Sequence, residues 1–327
     1  MKPTDTTDTA DTAADTAADT AASDIPEGGW IDHLPGVVRP YFRLARLDRP
    51  IGTWLLLFPC WWSVVLASPG LAPAGRLMGL AALFAAGAIV MRGAGCTFND
   101  IVDRDLDAKV ARTAMRPIPS GAVSVRAAVM FLVFELMIGL GILAMFNSFT
   151  IALGIASLAL IFTYPFMKRI TYWPQAWLGL TFNWGALLGF AAVTGTLGPE
   201  AVALYAAGFF WTLGYDTIYA HQDRADDLLV GIKSLALKFG ANTLPWLMGF
   251  FTAAGALMFA AGIMAGLGWA YYLLLALAFA QLLWQALRVD IDDPHDCLAK
   301  FRSNRLFGWL VLAALAAGQI NLDAALP

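Results

Sequence analysis

The chain has 327 residues, of which 59% are hydrophobic and only 14% charged, and its mean hydropathy is +0.65. A soluble domain carries roughly 25% charged residues because water must wet its surface, so this composition excludes an ordinary soluble protein and favours one that crosses the lipid bilayer. The formal net charge is −3 and no basic stripe interleaves with aromatic residues, which argues against nucleic-acid binding.

The first 29 residues form a low-complexity tract of Ala, Asp and Thr. The tract lacks the basic start and the apolar centre of a signal peptide, and it offers too little apolar surface to offset the entropy of ordering. We therefore expect a disordered tail over residues 1–29 and a polytopic membrane domain over residues 30–327.

Long apolar runs fill that domain. A bilayer core of about 30 Å needs roughly 20 apolar residues in a helix. Runs of this kind predict an all-α protein with nine transmembrane helices, at 51–68, 77–98, 123–146, 148–166, 174–194, 199–219, 243–264, 268–288 and 305–325.

The distribution of Lys and Arg between the loops predicts the orientation. Basic residues cluster before the first run and after the second, fourth, sixth and eighth, whereas the opposite loops contain only Arg76. Cytoplasmic loops carry the excess of positive charge. We therefore expect a multi-pass protein of a bacterial inner membrane, with the N-terminus and the active site on the cytoplasmic side.

An acidic segment, NDIVDRDLDAKVART, follows the second run. On a helix Asn99, Asp103 and Asp107 fall at i, i+4 and i+8 and share one face, with Asp100 on the adjacent edge. Carboxylates at this spacing repel one another. A hard divalent cation bound by their oxygen atoms would offset that repulsion.

A second acidic segment, YDTIYAHQDRADD, ends the sixth run. Asp216, Asp223 and Asp227 fall at i, i+7 and i+11, so a continuous helix would again place them on one face. Both segments end runs that leave the membrane on the same predicted side, and we expect them to face one cavity.

Two acidic segments of this kind suit a substrate that carries a diphosphate and a lipid tail. Mg²⁺ commonly bridges a few carboxylates to substrate phosphates and neutralises a leaving group as its bond breaks. Basic side chains would complete the neutralisation, and four stand in the predicted cytoplasmic loops: Arg112, Arg116, Lys168 and Arg169. The sequence therefore predicts an enzyme that binds a polyprenyl diphosphate through Mg²⁺.

At these segments the chain resembles the UbiA superfamily of intramembrane prenyltransferases, and within it the branch that prenylates 4-hydroxybenzoate in ubiquinone synthesis. Asn99, Asp100, Asp103 and Asp107 match the first motif of the superfamily, N-D-x-x-D-x-x-x-D. Asp223 and Asp227 match the second motif, D-x-x-x-D, and RLDRPIGTWLLLFP, RPIPSG, YPFMKRITYWPQAWLG and GIKSLALKFG also resemble that branch.

The resemblance implies nine helices around a central cavity with a lateral opening for the prenyl tail. It implies that Asn99, Asp103, Asp223 and Asp227 bind Mg²⁺, with Asp100, Asp107 and Asp216 near the same site. Lys168, Arg169 and Arg116 would contact the diphosphate.

The reaction that the resemblance implies is an electrophilic aromatic substitution on 4-hydroxybenzoate. Asp216 is a candidate proton acceptor, and Arg46 or Arg49 a candidate partner for the carboxylate of the acceptor. Two alternatives stay open at this point. One is another acceptor in the same superfamily, such as heme, homogentisate, a naphthoate or a glycerol phosphate; the other is a membrane transporter, because acids inside membranes often mark ion pathways.

Overall fold

The structure is a computed structural model that describes residue 25, residues 28–71 and residues 73–320. Apart from residues 25, 28 and 29, the tail predicted over residues 1–29 lies outside this part, so its disorder stays a prediction. In the described residues all regular structure is helical, which confirms the predicted all-α class. The helices are α1 (Arg39–Leu44), α2 (Ile51–Leu66), α3 (Ala74–Asp107), α4 (Ala111–Ala114), α5 (Val125–Leu143), α6 (Ser148–Ile170), α7 (Pro174–Thr194), α8 (Pro199–Gln222), α9 (Arg224–Val230), α10 (Leu235–Phe239), α11 (Thr243–Met264), α12 (Trp269–Arg288) and α13 (Pro294–Gln319).

Each predicted apolar run overlaps a helix over the residues that the structure describes. Six helical stretches of the described chain are long and apolar enough to cross a membrane: Ala74–Asp107, Val125–Leu143, Ser148–Ile170, Pro174–Thr194, Leu235–Met264 and Trp269–Arg288. The protein is therefore a multi-pass membrane protein.

The helix that contains the last predicted span begins before that span, and residues 321–325 of the span lie outside the described residues. Helix α13 begins at Pro294 rather than near residue 305, because Pro294 occupies its first turn and the Asp293 carboxylate accepts a hydrogen bond from the His295 amide. Both features are strong signals for a helix start. Apolar patterning does not indicate this helix start, because the first turns of α13 are polar.

The described residues divide into two compact units. One lies within the ranges 1–49 and 96–132, and the other within the ranges 50–95 and 133–327. In the first unit Leu44, Ile118, Val123 and Ala128 form a small buried cluster. This cluster brings α1 and the turn after α4 together with the first part of α5.

The second unit has a large core built around α8. Helix α8 packs against α7, α11 and α13, while α2 packs against α7 and α13. Trp62, Trp211 and Phe307 are fully buried there and contact one another ring to ring. Such large aromatic surfaces supply much of the dispersion energy that holds apolar helices together.

Polar side chains join the helices of the second unit at buried positions. The Asn304 side chain accepts a hydrogen bond from the Trp211 indole (2.8 Å) and donates one to the Gln285 carbonyl oxygen (3.0 Å), which links α8, α12 and α13. Gln319 at the end of α13 donates to the backbone oxygens of Val65 and Leu66 in α2. Hydrogen bonds of this kind fix how membrane helices align.

Helices α2 and α7 approach each other closely at Gly189. A β-carbon at this position would meet the backbone oxygen of Cys60 and the hydroxyl of Ser63 at less than contact distance. Because one of these neighbours is backbone, relief requires the helices to separate.

We therefore expect Gly189→Ala to destabilise the protein by about 1–3 kcal/mol, the usual range for overpacking. Thermal unfolding in detergent micelles measures the change. Gly249→Ala in α11 is the matched control, since nothing lies within 4 Å of its added β-carbon. Equal melting temperatures for the two variants would contradict the close approach.

Candidate active site

The first acidic segment is helical, as its spacing predicts. Helix α3 continues through Asp107, so Asn99, Asp103 and Asp107 stand at successive turns of one face. Asp100, Asp103 and Asp107 are buried, and Asn99 is half-buried. The helix therefore holds four oxygen-bearing side chains within its last turns, three of them shielded from solvent.

Arginines compensate the buried carboxylates of this segment. The Arg46 guanidinium donates to Asp100 Oδ1 at 2.8 Å, with 9% and 1% of the two side chains exposed. Arg116 donates to Asp107 Oδ2 at 3.0 Å and to Asp100 Oδ1 at 3.4 Å. Arg46 and Arg116 thus contact the acidic motif directly.

The backbone at Arg46 is unusual. Its φ of 57° lies in the left-handed region, which non-glycine residues adopt at a cost. The Arg46 amide and its guanidinium both donate to the Arg43 backbone oxygen, at 3.0 and 3.1 Å, and these bonds hold the turn. A strained backbone held in this way is common at functional sites.

Two further arginines of this unit were predicted from the sequence. Arg112 is half-buried in α4, next to Thr113, whose hydroxyl donates to the Asp107 backbone oxygen at 2.8 Å. Arg49 pairs with its neighbour Asp48 at 2.9 Å.

The second acidic segment is broken, which makes the predicted continuous face wrong. Helix α8 ends at Gln222, and Asp223 stands in a turn with φ −100° and ψ 0° before α9 begins. Asp favours helix ends because its short side chain competes with the backbone, and acidic residues are favoured in a first helical turn. Asp226 and Asp227 lie in the first turn of α9, so the second motif wraps around a helix junction.

Lys168 and Arg169 form the last turn of α6, and the backbone ties this turn to the second acidic segment. The Ile232 amide donates to the Asp227 backbone oxygen (2.9 Å), and the next amide, that of Lys233, donates to the Lys168 backbone oxygen (2.8 Å). Lys168 is half-buried and Arg169 exposed. The last turn of α6, which carries both cations, is thus tied through its backbone to the loop that follows α9.

Sequence reasoning missed Arg92. It lies within α3, and its guanidinium carbon stands 5.4 Å from the ring centre of Phe182. In the described part of the chain its side chain has no hydrogen bond and no ion pair. Its charge interacts with Asp216, the candidate proton acceptor, which is half-buried in α8. The signal was available, since Arg92 is the one charged residue in the apolar run 77–98.

The chemistry of the first acidic segment fits a hard cation. Its donors are carboxylate and amide oxygens, the ligands that Mg²⁺ prefers. Asp100 Oδ2 is buried without a hydrogen-bond partner among the described residues, so it has ligand capacity to spare. Among the described residues, no three side chains of His, Cys, Asp or Glu lie close enough together to bind one metal ion. Ion pairs with arginine hold two of the carboxylates instead.

Comparison with known families decides the assignment. The sequence profile described as "UbiA prenyltransferase family" matches residues 56–313. The chain belongs to this family. The match contains both acidic segments and Arg92.

Family relatives resemble the chain over most of its length. The protein called "4-hydroxybenzoate polyprenyltransferase, mitochondrial" of Arabidopsis thaliana is 52% identical over 90% of this chain and 72% of its own length. The "4-hydroxybenzoate geranyltransferase 2" of Lithospermum erythrorhizon is 49% identical over 89% of this chain and 94% of its own.

A solved structure supports the fold. A UbiA homologue from Archaeoglobus fulgidus, bound to GPP and Mg²⁺, superposes with a TM-score of 0.61 at 20% identity, over 84% of this chain and 99% of that one. At this identity the likeness concerns the arrangement of the helices.

The Arg46–Asp100 pair gives a stability prediction. In Arg46→Met the Asp100 carboxylate, whose side chain is 1% exposed, keeps only Arg116 as a partner among the described residues. We expect a loss of about 1–3 kcal/mol, the usual cost of removing one partner from a buried polar group. The measurement is thermal unfolding in detergent with EDTA.

Arg43→Met is the control for this prediction. Arg43 pairs with Asp32 at 2.6 Å, but both side chains are more than a quarter exposed. The Arg43 guanidinium lowers the pKa of Asp32 by a hydrogen bond, yet an exposed pair contributes little to stability. A shift for Arg46→Met no larger than for Arg43→Met would contradict the argument.

Proposed function

We propose that this protein transfers a polyprenyl group from a polyprenyl diphosphate to the ring carbon ortho to the hydroxyl of 4-hydroxybenzoate, a step of ubiquinone biosynthesis. The observation that carries the proposal is the pairing of both acidic motifs with about 50% identity to relatives named for prenyl transfer to this acceptor. A transporter reading does not account for that identity.

Mg²⁺ is the proposed cofactor. Asn99, Asp100, Asp103 and Asp107 of the first segment would hold it, with Asp223 and Asp227 of the second. When bound, Mg²⁺ supplies Lewis-acid neutralisation of the diphosphate charge. The A. fulgidus homologue was solved with Mg²⁺, and the oxygen donors of this chain are consistent with the same ion.

The basic side chains have two proposed roles, which are binding of the diphosphate and compensation of the carboxylates. Lys168, Arg169, Arg112 and Arg116 would bind the diphosphate, with the first two at the end of α6 beside the loop after Asp227. Arg116 also balances Asp100 and Asp107. These residues neutralise the leaving group while the allylic carbon–oxygen bond breaks.

For the acceptor carboxylate we propose Arg92 in place of Arg46 and Arg49. Arg46 is paired with Asp100, and Arg49 with Asp48. Among the described residues Arg92 has no hydrogen bond or ion pair, although its charge interacts with Asp216, and it stands inside a membrane helix. A cation there is costly unless anions join it, and the carboxylate of the acceptor would supply one that accepts hydrogen bonds from the guanidinium.

The proposed reaction has three steps: one bond breaks, one bond forms, and a proton leaves. The carbon–oxygen bond of the allylic diphosphate breaks with its electron pair on oxygen. The ring carbon ortho to the phenol hydroxyl then forms the new carbon–carbon bond, and the ring proton leaves, with Asp216 as the proposed acceptor. Apolar helix surfaces exclude water, which would otherwise capture the allylic cation as an alcohol.

We also propose the finer topology: nine spans around a central cavity, in a bacterial inner membrane, with the N-terminus and active site on the cytoplasmic side. The alternation of basic loops supports it. This charge pattern supports the orientation, and the Arabidopsis relative is named as mitochondrial.

Prenyl transfer in purified membranes tests the function. We expect prenylated 4-hydroxybenzoate to form only with Mg²⁺ and to fall on the order of 100-fold or more in Asp103→Asn, Asp223→Asn, because lost ligands forfeit neutralisation of the leaving group. The same double variant should lose any rise in melting temperature that Mg²⁺ gives the parent protein.

The matched control is Asp105→Asn, Asp226→Asn, which removes the same charges from the same two segments. Asp105 is exposed and faces Arg104. We expect this variant to keep its activity. Product formation in EDTA, or equal losses in both double variants, would refute the metal assignment.

Cysteine labelling tests the topology. In a background with Cys60, Cys96 and Cys297 replaced by Ala, we expect Thr196→Cys to react with an impermeant maleimide on intact cells. Ser120→Cys should react only after permeabilisation. Both positions are exposed in the structure. Labelling of both from one side would mean an even number of spans between them and would overturn the nine-span topology.

A further inference from the structure

The surroundings of Arg92 include a glycine whose lack of a side chain matters. Gly52, in the first turn of α2, is buried. A β-carbon on Gly52 would stand 2.5 Å from Arg92 Nε, 2.8 Å from Nη2 and 2.9 Å from Cζ. The guanidinium therefore occupies the space that any larger residue at position 52 would need.

Phe182 of α7 provides the second contact. Its ring centre is 5.4 Å from Arg92 Cζ, within the range of a cation–π interaction. We call Gly52 and Phe182 together the guanidinium slot. The slot touches Arg92 through a backbone and a ring face, and neither contact uses the hydrogen-bond donors of the guanidinium.

Among the described residues the N–H groups of Arg92 have no hydrogen-bond partner, and Asp216 interacts with its charge only, so these donors can serve a ligand. An arginine presents its N–H groups in a planar fork that matches the two oxygens of a carboxylate. Two such bonds form well only when the plane of the guanidinium is fixed. The slot restricts that plane with an aromatic face and with a steric limit at Gly52.

We propose that Gly52 and Phe182 are positioning residues that orient Arg92 to bind the carboxylate of an aromatic acid, and so make a carboxylate a requirement for the acceptor. This inference rests on the proposed function, because it assigns Arg92 to the acceptor. Neutral phenols of the same shape would be poor ligands, since they leave the oriented donors without an anion.

A substitution at Gly52 should shift Arg92 rather than unfold the protein. The atoms that an added methyl group would meet belong to the far end of a flexible side chain. Gly52→Ala therefore tests orientation with the charge retained. Arg92→Ala removes the charge, and Phe182→Leu removes the ring face without adding bulk.

The experiment compares binding of 4-hydroxybenzoate and its neutral isostere 4-hydroxybenzamide to the purified full chain, by calorimetry. We expect the parent to prefer the acid. Gly52→Ala should weaken binding of the acid by about tenfold, the scale of a lost charge-assisted hydrogen bond, and leave binding of the amide unchanged. Phe182→Leu should weaken the acid about 2- to 5-fold, as for a lost cation–π contact.

Gly79→Ala is the matched control, a glycine in the same helix as Arg92 with nothing within 4 Å of its added β-carbon. KM for the prenyl diphosphate should stay the same in Gly52→Ala, which separates acceptor orientation from general damage. Should Gly52→Ala fail to fold, Phe182→Leu carries the same comparison.

The outcomes separate this inference from the function on which it rests. Equal losses for acid and amide, or unchanged acid binding in both slot variants, would overturn the slot. An active parent whose preference for the acid survives Arg92→Ala would overturn the role of Arg92 while prenyl transfer stands. A parent that neither binds nor prenylates 4-hydroxybenzoate would refute the proposed function and the slot with it.

Discussion

Compensation of buried charge is the constraint on which the acidic end of α3 depends. A carboxylate removed from water costs several kcal/mol unless an opposite charge or hydrogen bonds replace the lost hydration. Asp100 meets this cost with Arg46, whose backbone is in the left-handed region and whose guanidinium lies 2.8 Å from Asp100 Oδ1. Asp107 meets it with Arg116. These two arginines allow an apolar protein to keep carboxylates within α3 that would otherwise repel one another.

The fold was largely predictable from the sequence because its signals are local. Apolar runs longer than a bilayer core predict helices whatever their neighbours, and the i, i+4, i+8 spacing of Asn99, Asp103 and Asp107 needs only a regular helix. The break at Asp223 was missed because the spacing there also suits a continuous helix. A helix end is decided by competition between a short polar side chain and the backbone, and apolar patterning does not register that competition.

The partners of the charged residues could not be predicted in the same way. Arg46 and Asp100 are far apart in the chain, and nothing in either local sequence specifies that they pair. Arg92 was passed over because cations were counted in loops, where they report topology. Its position inside an apolar run was the available signal, since a membrane helix rarely keeps a charge without a use. The buried network of Trp211, Gln285 and Asn304 likewise depends on helix packing that no single segment encodes.

The backbone bond between Lys233 and Lys168 makes a mechanical link within the second unit. After Asp227, in the first turn of α9, the chain passes through Gly231 in the left-handed region. Two residues later the Lys233 amide donates a hydrogen bond to the last turn of α6. The Lys233 ammonium adds a second attachment, to the backbone oxygen of Ile170. A movement of the first turn of α9 would strain both hydrogen bonds of Lys233 unless the end of α6 moved with it. We therefore expect helix α9, which carries Asp227, and the end of α6, which carries Lys168 and Arg169, to move together.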